Sequence, residues 1–146
     1  MLFLRGDNLI QLVPIYPGSE HFEITLKACL PWLEKACEHN GEWTYEQVVD
    51  AVVNRKQMLW VIANIESGII HGAGTTRIVV LPNGEKIGRD VVFAGEEMGR
   101  FMHLLPNLEE YFKHEGCRSV KIHGRKGWAK KLTDYKIVGI TFEKVL

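Results

Sequence analysis

The sequence predicts an α/β protein of the α+β kind, with a central mixed, mostly antiparallel sheet flanked by helices. Apolar residues recur every three or four positions early in the chain and again before residue 115, which is typical of amphipathic helices. Between these stretches the pattern changes to short β-type runs separated by turn residues. The length of 146 residues is that of one ordinary domain, so a single domain over 1–146 is expected.

The first elements are a strand and two helices. Leu9–Ile15 alternates loosely and ends among prolines, as a strand before a turn does. Glu20–His39 has helical spacing, with Pro31 expected to break or restart the helix, and Asn40-Gly41 ends it. Thr44–Gln47 is a capping box that opens a second helix.

Three consecutive strands are predicted next, over Met58–Ile65, Ile69–Leu81 and Lys86–Ala94. Asn83-Gly84 separates the last two, and this dipeptide readily adopts the positive φ angles of a tight hairpin. The sequence therefore predicts an antiparallel meander.

The rest of the chain predicts two helices and two strands. Met98–Glu115 has a helical apolar face, and Pro106 either kinks this helix or marks its true beginning. Ser119–His123 is predicted as a strand, Trp128–Asp134 as a short helix and Ile137–Val145 as a last strand.

Composition excludes several classes of protein. Hydrophobic residues make up 46% and charged residues 25%, which is a globular balance rather than a disordered or fibrous one. The longest apolar run is far below the roughly 20 residues that span a bilayer, and no secretory signal is recognised. The three cysteines, Cys29, Cys37 and Cys117, lack zinc-site spacing, so buried free thiols and no metal site are expected.

Charge is distributed unevenly although the net charge is zero. Residues 1–117 hold ten basic and sixteen acidic residues, whereas residues 118–146 hold eight basic and two acidic residues. Such a dipole indicates a polyanion-binding face, or packing against copies of the chain or another charged partner.

The order of elements resembles the GNAT superfamily of acetyltransferases over nearly the whole chain. The meander, the Met98–Glu115 helix, Gly116–Ile122 and Trp128–Tyr135 carry the resemblance. It implies that acyl-CoA binds where the fourth strand separates from the fifth, on a loop of the form Q/R-x-x-G-x-G/A. Matched to that loop, the cofactor-binding candidates, if acetyl-CoA binds at all, are Phe93, Gly95, Gly99 and Arg100.

Two segments depart from the family pattern. Glu96 and Glu97 lie about where phosphate oxygens would bind, although acidic residues also suit the start of a helix for structural reasons. Thr133 stands where the family often has a tyrosine acid, and Tyr135 lies two residues further on. His71 and His123 could act as bases, but structural roles are favoured, and the catalytic residues stay unassigned.

A basic segment surrounds one tryptophan near the carboxyl end. Cations beside an aromatic ring can neutralise phosphates and stack a nucleic-acid base, although Trp128 can equally fill the core. The candidate nucleic-acid or partner surface consists of Arg125, Lys126, Trp128, Lys130 and Lys131.

These departures favour a GNAT-like domain that has lost catalysis and serves as a binding or structural component. The segment Gly124–Trp128 is similar to virion proteins of tailed bacteriophages, which implies an internal or head–tail protein with other virion subunits as partners and no cofactor. The location expected is the bacterial cytoplasm or the virion. The alternatives are an acyl-CoA-dependent N-acetyltransferase with an atypical loop, which would use acetyl-CoA, and a nucleic-acid-binding module.

Overall fold

Five strands form one sheet in the order in which they occur along the chain. The computed structural model describes residues 9–96, 102–124, 128 and 130–146. Its elements are β1 Ile10–Ile15, α1 Phe22–Asn40, α2 Tyr45–Val53, β2 Met58–Asn64, β3 Ile70–Val80, β4 Lys86–Gly95, α3 Leu105–His114 and β5 Cys117–Lys121. β1 to β4 pair antiparallel, and β5 pairs with β4 in parallel. The predicted fold class is confirmed.

The sheet has a separate core on each face. On one face, α1 and α2 pack Leu33 and Val48 against Leu59 of β2. On the other, α3 packs Leu108 and Phe112 against Trp60. The alternation of side chains along β2 produces both cores, because successive residues of a strand point to opposite faces.

α1 runs without a break through Pro31, so the predicted break is wrong. Pro31 is exposed, while Cys29, Leu33 and Ala36 are buried against the sheet, and this burial offsets the hydrogen bond that proline cannot donate. Gly41 ends the helix with a φ of 74° and donates its N–H to the carbonyl of Cys37 at 2.9 Å. No helix in the described part of the chain is long and apolar enough to cross a bilayer.

α2 begins with the predicted capping box. The backbone N–H of Gln47 donates to Thr44 Oγ1 at 3.2 Å, and the N–H of Thr44 donates to Gln47 Oε1 at 3.0 Å. Both bonds satisfy amides that the first turn of a helix leaves open.

α3 begins at Leu105, with Pro106 in its first turn. Of the two readings of Pro106, the helix start is therefore confirmed, since a missing N–H costs nothing in the first turn. The predicted start at Met98 lies outside the described residues, and Met102–Leu104 form a tight 3-10 turn before the helix.

The end of the chain differs from the prediction. One helical turn follows Trp128, whose carbonyl accepts from the N–H groups of Lys131 and Leu132 at 2.9 Å each. The predicted strand Ile137–Val145 is wrong, because none of these residues pairs with the sheet and all are exposed. Alternating apolar residues favour a strand, but a strand forms only where a neighbouring backbone is within reach.

All three cysteines are free, as expected. Cys29 and Cys37 are buried and Cys117 is half-buried. Burial raises the pKa of Cys29 to about 11, which keeps this sulfur a thiol rather than a reactive thiolate at neutral pH.

Candidate active site

The sheet opens into a fork between β4 and β5. The two strands pair from Lys86 and Cys117 to Arg89 and Lys121, and the pairing ends there. β4 continues to Gly95 while paired with β3 on its other side. Beyond Arg89, the edge of β4 on the side of β5 is therefore not paired with β5.

A β-bulge lies at the base of the fork. Asp90 pairs with Thr76 of β3 and Val92 pairs with Thr75, so Val91 is an extra residue in β4. A bulge increases the local twist of a strand and re-aims its side chains. Here it bends β4 at the point where β5 separates from it.

Asp90 and His123 meet across the fork. The backbone N–H of His123 donates to Asp90 Oδ1 at 3.1 Å, and His123 Nδ1 lies 3.5 Å from the same oxygen. The Asp90 side chain is 18% exposed and that of His123 is 72% exposed. The pair thus has a half-buried carboxylate behind an accessible imidazole.

Burial raises the pKa of Asp90 above its ordinary value, because a charged carboxylate loses hydration there. The two contacts with His123 act in the opposite direction and favour the carboxylate. An acid with a raised pKa and one specific partner in a cleft is typical of functional sites.

A small apolar cavity of about 50 Å³ adjoins this pair, between the fork and the start of α3. Asp90 is the acidic group in its wall, which is otherwise formed by Leu12, Ile62, Phe93, Met102, Leu104, Leu105, Leu108, Ile122 and Trp128. The arrangement brings one carboxyl group to the edge of a space lined by apolar side chains.

Two glycines make room for the aromatic walls of this cavity. A Cβ on Gly74 would lie 2.2 Å from the ring of Phe93. One on Gly124 would lie 3.1 Å from the ring of Trp128. Phe93, a cofactor-binding candidate from the sequence, therefore lies in the site.

The loop after β4 uses one of its two acidic residues to extend the sheet. Glu96 donates its backbone N–H to the carbonyl of His71 at 2.9 Å, and its carboxylate lies 3.3 Å from His71 Nδ1. Gly95 pairs with Gly72 in the ladder. The Glu96 carboxylate is thus engaged with β3. Glu97, Gly99 and Arg100 lie outside the described residues.

Tyr135 is engaged on α3. Its hydroxyl donates to Glu109 Oε2 at 2.7 Å. Burial and this carboxylate raise the pKa of Tyr135, so the phenol stays protonated. Thr133 is exposed.

The candidate basic surface is only partly within the described residues. Lys130 and Lys131 are exposed, whereas Trp128 is half-buried in the cavity wall, and Arg125 and Lys126 lie outside the described part. This position of Trp128 agrees with the alternative in which its side chain fills the core rather than stacks on a nucleic-acid base. Nucleic-acid binding by the lysines stays a prediction.

Solved structures share this architecture. An aminoglycoside acetyltransferase from an uncultured soil metagenomic sample, in complex with sisomicin, has a TM-score of 0.68 at 11% identity, covering 97% of this chain and 99% of its own. Glucosamine-6-phosphate N-acetyltransferase from Arabidopsis thaliana has a TM-score of 0.63 at 14% identity, covering 93% and 97%. A GNAT family acetyltransferase from Staphylococcus aureus has a TM-score of 0.59 at 16% identity, covering 94% and 98%.

The fold is that of the GNAT acetyltransferases. No protein-family model and no curated protein matches the chain. The prediction of a non-catalytic binding or structural component of a phage virion is wrong, because the structures that share the fold are acetyltransferases. The GNAT likeness predicted from the order of elements is confirmed, and the enzymatic alternative is the one favoured.

Asp90 is the site residue that the sequence reasoning missed. The available signal was an acidic residue in the middle of a predicted strand, directly before the apolar run Val91–Ala94. Charged residues are rarely buried without a partner, so such a position indicates a functional or structural pair.

Proposed function

We propose that this chain is an acyl-CoA-dependent N-acyltransferase, with acetyl-CoA as its acyl donor. The observation that carries the proposal is the fork between β4 and β5, with the Asp90–His123 pair at its base and an apolar cavity beside it. The earlier expectation of no cofactor is replaced by this proposal.

The described residues fit the acyl and pantetheine portion of such a donor. Residues 91–95 of β4 have an edge that β5 does not use, and its backbone groups can pair with the amides of an extended arm. The apolar walls formed by Phe93, Leu104 and Leu108 suit methylene and methyl groups. Gly95 lies at the end of the same strand, and Gly99 and Arg100 stay candidates for the phosphate groups.

His123 and Asp90 have different roles in the proposed proton transfer. When bound, acyl-CoA would supply a thioester carbonyl. Attack by a neutral amine forms the C–N bond and breaks the C–S bond, and CoA leaves as a thiolate that takes up the proton lost by the amine. His123 faces Asp90 through Nδ1, so its Nε2 is left to accept the proton of the amine. Asp90 holds the imidazole in that orientation and stabilises its charged form.

The names of the similar structures support an amino group as the acceptor. Two of them are acetyltransferases named for an aminoglycoside and for glucosamine 6-phosphate. Both names denote amino sugars, so amino sugars and simple amines form the first acceptor panel.

Calorimetry with acetyl-CoA, followed by a thiol-release assay with that panel, tests the function. We expect micromolar binding and amine-dependent release of CoA. His123→Ala should lower kcat by about 100-fold, the usual scale for loss of an acid–base group. His114→Ala, an exposed histidine at the end of α3, is the matched control. No heat at millimolar acetyl-CoA would overturn the proposal.

A further inference from the structure

Three cationic side chains stand side by side on one face of the sheet, at the point where β4 and β5 begin to separate. Arg77 of β3 pairs in register with Arg89 of β4, and Arg89 pairs with Lys121 of β5. Residues paired in this way project from the same face. Gly88 faces α3, because it lies against the Phe112 ring of that helix. Successive residues of a strand point to opposite faces, so Arg89 and the residues paired with it point away from α3. We call Arg77, Arg89 and Lys121 the cationic row.

No carboxylate neutralises the cationic row within the described residues. The ion pairs there join His71 to Glu96, Arg118 to Glu85 and His123 to Asp90. Like charges directly opposite each other on neighbouring strands are destabilising. Arg89 Nε is also buried without a hydrogen-bond partner. A buried guanidinium N–H without an acceptor is costly, so the row has the electrostatics of an anion site.

A cavity of about 710 Å³ begins beside Arg77, and this volume is in the range of small-molecule sites. Arg55, Lys56 and Gln57 also line it, and none of the described lining residues is acidic. Gln57 is 5% exposed, and its Oε1 has no partner among the described residues. Arg55 donates from Nη2 to the carbonyl of Pro17 at 3.3 Å, which fixes its guanidinium at the rim.

Arg55 is brought to the cavity by the end of α2. It has a φ of 61°, the left-handed conformation that closes many helices, and the N–H groups of Arg55 and Lys56 donate to the carbonyls of Val52 and Ala51 at 3.1 and 2.8 Å. The cavity shares no lining residue with the apolar cavity at the fork.

We propose that the cationic row and the adjoining cavity bind a small phosphorylated molecule. A phosphate group carries close to two negative charges and can accept from two guanidinium groups at once, which suits the pair Arg77 and Arg89. The remainder of the molecule would lie beside Arg55 and Lys56, which also line the cavity. The row lies on the opposite face of the sheet from the apolar cavity at the fork, and the inference goes beyond the proposed enzyme function.

Thermal unfolding of the full chain in inorganic pyrophosphate tests the site, with sodium chloride used to hold ionic strength constant. Pyrophosphate should raise Tm, because a ligand that binds the folded state stabilises it. Arg77→Met and Arg89→Met should each weaken the apparent affinity at least about tenfold, the scale of one lost charged hydrogen bond. Lys27→Met removes a charge from an exposed position on α1 and should bind like the wild type.

The variants also separate binding from a structural role. Without pyrophosphate, Arg77→Met should melt no lower than the wild type, because it relieves repulsion within the row. His123→Ala should bind pyrophosphate normally even if it abolishes acyl transfer. Equal stabilisation of Arg77→Met and Lys27→Met by pyrophosphate would overturn the proposal, as would equal stabilisation of the wild type by malonate, a dicarboxylate of similar size.

Discussion

At the scale of single residues, position in the sheet decides what each side chain does. Asp90 lies at a bulge, has lost much of its hydration and meets His123. At positions 88 and 74, only glycine leaves room for the aromatic ring that lies against it from a neighbouring helix or strand. These roles depend on contacts that are distant in the sequence.

Asp90 gives a testable dependence of stability on pH. Its pKa is higher in the folded protein than its ordinary value, so the folded state holds the proton more tightly. The free energy of unfolding should therefore fall as pH rises from the pKa of Asp90 in the unfolded chain to its pKa in the folded protein. Above both values the loss of stability is complete. Asp90→Asn should remove this dependence.

Urea unfolding from pH 3 to pH 7 provides the measurement, with the exposed Glu20→Gln as control. The stability of Asp90→Asn relative to the wild type should be greatest at neutral pH and shrink as pH falls. A difference that stays constant over this range would show that Asp90 has no shifted titration in the folded state.

Gly88→Ala tests the close approach of α3 to β4. The added Cβ would lie 2.4 Å from the Phe112 ring, which is buried, so the ring or the helix must shift. We expect a loss of about 1–3 kcal/mol in the free energy of unfolding, as for other overpacked cores. Gly139→Ala meets nothing within 4 Å and should change urea unfolding little; equal effects of the two would contradict the packing argument.

At the scale of elements, packing overrides local preference in α1, whereas α3 follows it. α1 continues through Pro31 because its buried face holds it against the sheet. α3 instead begins next to Pro106, where the missing donor is harmless. The same residue type is therefore costly in one helix and neutral in the other.

Pro31→Ala should stabilise the protein. Alanine restores the missing N–H and removes the clash, and part of this gain is offset because alanine leaves the unfolded chain more flexible. We expect a net increase of about 2 kcal/mol in the free energy of unfolding, measured in urea. Pro106→Ala is the matched control and should be close to neutral; a Pro31→Ala protein no more stable than the wild type would contradict the account of α1.

At the scale of the whole molecule, charge and apolar surface are both unevenly distributed. Residues 118–146 are basic and the preceding residues are acidic. The exposed end of the chain also carries Ile140 at 75% and Phe142 at 90% exposure. Exposed apolar side chains in such number are typical of a surface that another protein covers.

We expect this end of the chain to mediate association with a second copy, since the acidic and basic halves are complementary. Light scattering during size-exclusion chromatography should show a dimer that the double variant Ile140→Ser, Phe142→Ser converts to monomer. Thr141→Ser, between these two residues, is the control. A wild-type monomer at every concentration would contradict the expectation.

The sequence by itself determined the elements whose signals are local. The capping box at Thr44, the turn at Asn83-Gly84, the helical face of α1 and the meander all follow from spacing over a few residues. Their order was enough to indicate a GNAT-like fold. The predicted strand Ile137–Val145 failed for a physical reason: its partner backbone is not a property of its own residues.

Only the tertiary structure decided the candidate sites. Asp90 and His123 are 33 residues apart, and the bulge at Val91 and the end of pairing at Arg89 bring them together. The cationic row likewise joins three strands in register. Sites of this kind depend on strand register and burial, because these fix which charges lose water and which groups meet, and neither can be read from a single segment.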